Sequence, residues 1–131
     1  MKIELKEIDR NSLKVGDIVG VAREVQLGWR SSFRHGKIIP VKIVKITPKR
    51  TKIESDKFGE HDKREVFYKL NEDAELETAY ALAFETFLDG IYRLGDLRRN
   101  DVLRDVSDED LLEAAGHMKA MMEILEKYKE K

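Results

Sequence analysis

Cysteine is absent from the sequence, which excludes disulfides and thiolate metal sites and suits a reducing, cytoplasmic setting. No apolar run approaches the length needed to span a bilayer. The opening residues, MKIELKEIDR, alternate charged with apolar side chains, so neither a signal peptide nor a membrane anchor is expected there. There is no glycine-rich phosphate loop of the Walker or dinucleotide type, no internal repeat and no low-complexity tract. The histidines His35, His61 and His117 fall on three different predicted elements, with no pair at metal-ligand spacing. Glu60, His61, Asp62 and Asp56 crowd one turn, but the ligand spacing of a calcium loop is missing, so a solvated acidic turn is expected. No metal, no cofactor and no catalytic residues are therefore assigned, and the chain is expected not to be an enzyme.

What the sequence does have is charge, divided unevenly. The net charge of −1 hides an N-terminal part, residues 1–52, with 13 Lys/Arg against 5 Asp/Glu, and a remainder with 12 against 21. Such asymmetry points to a polyanion-facing N-terminal part, or to two oppositely charged halves that dock. The 131 residues suit one domain or one domain with an appendage, and folding would bury about two-thirds of the unfolded chain's surface.

Strand signals dominate the first half. Ile3 and Leu5 mark a short strand over 2–8, and Gly16-Asp17 leads into a longer one over 18–26, where Gly20 and Ala22 suggest a close backbone approach. From Lys37 to Ile46, Ile39, Val41 and Ile43 share one phase and Val44 and Ile46 the other. Side chains alternate faces along a strand, so this switch predicts a bulge or sharp bend at 43/44. Thr47-Pro48-Lys49-Arg50 then reverses the chain, with Pro48 setting φ for the turn. Thr51, Ile53 and Ser55 form the inward phase of the return strand, and a last strand over 64–70 alternates Val66, Tyr68 and Leu70 with Glu65, Phe67 and Lys69. About five strands with tight turns and no intervening helix predict a small antiparallel, SH3-like β-barrel over 1–70.

Leu27 to Gly36, LGWRSSFRHG, lacks alternation and is placed on a loop. Trp29 and Phe33 interleaved with Arg30, Arg34 and His35 suit stacking on a base with guanidinium groups for phosphate. They equally suit a protein hot spot, or rings folded back to plug the barrel's open end. Lys37, Lys49, Arg50 and Lys52 are expected to line a groove with this loop. Five or six phosphate contacts through such a face would give a salt slope of about −3.5 to −5.5.

The period changes at Asn71, which caps a helix over 72 to about 98 with Glu72, Asp73 and Glu75 in its first turn and Gly90 as the point for a kink. Its stripe is Leu76, Tyr80, Phe84, Phe87, Ile91 and Leu94. Ser107 caps a second helix, whose stripe Leu111, Ala115, Met118, Met122 and Leu125 ends towards Lys127, Lys129 and Lys131. Together they predict a helical hairpin over 71–131, packed on the barrel or on a second protomer, the latter a homodimer through the helices. The expected class is α+β.

A basic SH3-like barrel with an ITPKRTK-type hairpin, Ile46 to Lys52, followed by acidic helices resembles small, uncharacterised phage or prophage proteins. That resemblance implies no set activity, but it raises an anti-defence role, blocking a host nuclease or sequestering a nucleotide signal. The residues themselves point to non-enzymatic binding of nucleic acid or another phosphate-bearing ligand through Trp29, Arg30, Phe33, Arg34, His35, Lys37, Lys49, Arg50 and Lys52. The alternative is a phage-type inhibitor or adaptor that binds a host protein.

Overall fold

A computed structural model describes residues 2–129; the predicted helix end at Lys131 lies outside the described residues. The class is α+β: a largely antiparallel sheet and two C-terminal helices. The strands are β1 (Glu7–Ile8), β2 (Ile18–Arg23), β3 (Gln26–Gly28), β4 (Ser31–Ser32), β5 (Lys37–Ile46), β6 (Ile53–Ser55), β7 (Gly59–His61) and β8 (Phe67–Tyr68). The helices are α1 (Glu72–Arg99) and α2 (Asp108–Glu126). Six strands form one sheet in the order β1-β8-β2-β5-β6-β7, and β3 with β4 make a separate hairpin. The sheet does not close on itself. The chain divides into two compact units, Met1–Leu88 and Asp89–Lys131, with the division inside α1.

The predicted phase switch in β5 is present. Ile43 pairs with Ser55 and Lys45 with Glu54, so Val44 is an extra residue in the ladder and the strand bends there. Val41, Ile43 and Ile53 consequently face one core, with Leu13, Val19, Val21 and Phe67. Phe67 is the buried member of the last strand and Val66 is exposed. The strand expected over 2–8 pairs only at Glu7–Ile8. The Thr47 turn is closed by Arg50 N–H donating to Thr47 O (2.8 Å), and Arg50 has a left-handed φ of 56°.

β5 takes its two long partners in succession. It pairs with β2 over Lys37–Lys42 and with β6 only from Ile43 onward, so its first half presents an open edge on the side away from β2. A bare edge invites pairing with other chains. Here each N–H on that side is removed or satisfied. Gly36 N–H donates to Glu77 Oε2 (2.9 Å) and Ile38 N–H to Thr78 Oγ1 (2.8 Å), both on α1. Pro40 has no N–H to offer, and Lys42 N–H donates to Asp56 Oδ1 (2.9 Å). The first turns of α1 thus act as a cover strip for β5. Asn71 starts that helix as predicted, its Oδ1 accepting from Ala74 N–H (2.9 Å). The helix runs through Gly90 without a break.

Gly20 sits between Pro40 and Tyr68 in the two neighbouring strands. A Cβ there would collide with Ile38 Cγ2 and stand 3.0 Å from Leu70 Cδ2. In the second unit, Ser107 caps α2 by accepting from Asp110 N–H (3.1 Å), and α2 has no buried residue. Among the described residues, no helix is long and apolar enough to cross a membrane.

Two stability predictions follow from these contacts. Gly20→Ala should cost about 1–3 kcal/mol through overpacking, read as a lower urea midpoint at unchanged slope. Thr78→Val keeps the shape but strands the Ile38 N–H, and should cost about 1–3 kcal/mol; an unchanged midpoint would mean that α1 does not cover this edge.

Candidate ligand-binding site

The loop read from the sequence is a small hairpin. Gln26 pairs with Ser32 and Gly28 with Ser31, leaving Trp29 and Arg30 as its tip. Arg30 holds a left-handed φ of 61°, a conformation that disfavours any side chain with a Cβ by about 1–2 kcal/mol. Trp29 is 85% exposed, and the Arg30 guanidinium lies over its ring, 4.3 Å from the centroid. The base of the hairpin is fixed by Phe33 N–H donating to Val25 O (2.8 Å), with Val25 buried.

Past the tip, the loop lies against α1. Phe33 stacks on Phe84, with centroids 4.0 Å apart and an interplanar angle of 8°. His35 stands 5.0 Å from Tyr80. The Glu77 carboxylate holds two groups at once, His35 Nδ1 at 2.7 Å and Gly36 N–H at 2.9 Å. Lys37 Nζ reaches Glu85 Oε2 at 3.1 Å. Residues 77, 80 and 84 share a helix face because their spacing follows the helical turn. Two rings flanked by two acids thus form the surface that meets the loop.

Between loop and helix lies a cleft of about 410 Å³ lined by Phe33, Arg34, His35, Tyr80, Ala83, Phe84 and Phe87. Arg34 is its exposed cation, with the guanidinium 4.7 Å from the Phe33 centroid. A ring-lined cleft with one guanidinium at its wall suits a flat, electron-rich group bearing negative charge.

Six of the nine residues singled out from the sequence gather here: Trp29, Arg30, Phe33, Arg34, His35 and Lys37. The other three do not join them. Lys49, Arg50 and Lys52 flank the turn at the far end of β5, whose ten residues span about 30 Å of extended chain. The single groove expected from loop and turn is therefore not assembled. Arg50 is also committed elsewhere, donating from Nη1 to Leu13 O (2.8 Å) and Arg10 O (3.2 Å). Arg10 Nε donates back to Arg50 O (3.3 Å), which ties the turn to the 10–13 segment. Lys52 Nζ lies 3.5 Å from Glu60, and Lys49 is exposed.

Two features escaped the sequence reading. Tyr80, Phe84 and Phe87 belong to the predicted apolar stripe of α1, yet they line the cleft; their aromatic character, against the aliphatic Ile91 and Leu94 further along, was the available signal. The other is a hydroxyl–imidazole–carboxylate chain. Ser55 Oγ lies 2.8 Å from His61 Nε2, and His61 Nδ1 lies 2.8 Å from Glu65 Oε1. This order of groups is that of an activated serine, but Ser55 and His61 are each only 3% exposed. Ser55 Oγ also accepts from Phe58 N–H (3.2 Å), and Glu65 is held by Arg23 (3.0 Å). The adjoining cleft is lined by Arg23, Glu60, His61, Asp62, Arg64 and Glu65, without Ser55. The chain acts as a lock on the β6–β7 turn. Among the described residues, no three His, Cys, Asp or Glu converge as metal ligands.

No protein family, curated protein or solved structure matches the chain.

If the chain is a turn lock, Ser55→Ala should lower stability by about 1–2 kcal/mol, and an organophosphonate probe should leave wild-type Ser55 unlabelled by mass spectrometry. Labelling at Ser55 would mean that the hydroxyl is presented to solvent and activated.

Proposed function

We propose that this is a non-enzymatic binding protein whose site is the hairpin tip and the adjoining aromatic cleft, and that its ligand is a phosphate-bearing base: a nucleotide or single-stranded nucleic acid. The bent sheet, an open relative of an SH3-like barrel in this reading, carries the site without supplying contacts of its own. The observation that carries the proposal is the cleft. It places Tyr80, Phe84 and Phe87 beside Arg34, and base–aromatic stacking contributes about 1–3 kcal/mol per base. Trp29 with Arg30 adds a second stacking surface, 4.3 Å from guanidinium to ring.

The number of phosphates engaged is small. His35 and Lys37 are occupied by Glu77 and Glu85, and Lys49 and Lys52 stand at the other end of β5. Arg30 and Arg34 remain, so the salt slope for a single strand should be about −1.5 rather than the steeper value expected for a continuous basic groove. A duplex, which needs a broad cationic footprint, fits less well. The exposure of Trp29, 85%, favours one second reading: a host-protein hot spot in an inhibitor or adaptor, where Trp and Arg predominate.

Fluorescence titration separates the two. With mononucleotides and short single-stranded oligonucleotides at two salt concentrations, binding should quench Trp29 and show the shallow slope. Arg30→Ala with Arg34→Ala should weaken it tenfold or more, and Phe84→Leu should do likewise by emptying the stack. Failure to bind any nucleotide or oligonucleotide at low salt would discard the nucleotide reading and leave the protein-partner one.

A further inference from the structure

We infer that the second unit, residues 89–129, is one half of an interface between two copies of this chain, formed by the exposed face of α2 and the last turns of α1. Leu111, Met118, Met122 and Leu125 are all exposed. With Ala115 they recur at spacings of 4, 3, 4 and 3, the seam along which two helices pack. Leu112, 76% exposed, and Ile124 widen the stripe. On α1, Ile91, Leu94 and Leu97 are exposed too. Single exposed apolar side chains are ordinary, but a stripe of this kind along one helix marks a contact surface.

Charge selects the occupant. Residues 93–104 carry Arg93, Arg98, Arg99 and Arg104 against Asp96 and Asp101, while residues 105–113 carry five acids and no Lys or Arg. Arg93, Arg99 and Arg104 have carboxylates within their own helix or turn; Arg98 has no partner among the described residues. Each copy therefore carries both a basic and an acidic stretch in the same unit as the apolar stripe. That self-complementarity is what a two-fold contact requires. An anionic lipid surface or a nucleic acid would be repelled by the uninterrupted acids at the start of α2.

Size-exclusion chromatography with light scattering on the full chain, from low to high micromolar, tests this independently of any ligand. We expect a mass of twice 15.2 kDa. Met118→Glu with Met122→Glu should raise the dissociation constant about thirtyfold or more, the scale of a central interface residue. Arg98→Glu should raise it severalfold, and added salt should weaken the dimer. Unchanged Trp29 fluorescence in these variants would show that the sheet unit stays folded. A monomer throughout the wild-type concentration series overturns the proposal, as does an assembly of more than two copies. A Met118/Met122 variant that remains fully dimeric overturns the assignment of the face.

Discussion

The exposed flank of β5 is the constraint from which the rest of the first unit follows. A ten-residue strand whose partner β6 covers only its final residues has backbone donors with nowhere to go, and a buried unpaired N–H costs about 1–3 kcal/mol. The sequence answers position by position: a carboxylate from α1 at Gly36, a hydroxyl from α1 at Ile38, proline at 40, and an aspartate side chain at Lys42. Two of those answers come from residues 77 and 78, so α1 must begin alongside the sheet. Once it does, the helical period carries Tyr80 and Phe84 to the loop that precedes β5. The aromatic cleft is a by-product of protecting a strand edge.

The same docking explains the division of charge along the sequence. The basic first part and the acidic remainder are partly reconciled across this contact, where Glu77 and Glu85 meet His35 and Lys37. Arg30 and Arg34 are the loop cations left over. The basic surface that composition suggests is therefore much smaller in the folded chain, because acids distant in sequence lie beside half of it.

Much of the fold was legible in the residues because its causes are local. The switch of apolar phase at Ile43/Val44 announced the bulge, Asn71 and Ser107 announced the helix starts, and the small side chain at Gly20 announced a close approach. What could not be read depends on distances that no local pattern contains. The loop and the Thr47 turn both looked basic, but β5 holds them apart by its own length. The helix stripe was visible, yet only docking decides that Tyr80 and Phe84 face a cleft while Ile91 and Leu94 remain exposed. The Ser55–His61–Glu65 chain needs two successive turns to fold before its members meet.

The left-handed backbone of Arg30 sets two demands against each other at one position. Chain geometry there favours glycine or asparagine, whereas the indole face of Trp29 is covered by the Arg30 guanidinium. Selection for a sturdier protein and selection for a competent contact surface would therefore pull residue 30 in opposite directions. On the proposed reading, a tip that keeps its arginine in such a place has given up some stability for recognition.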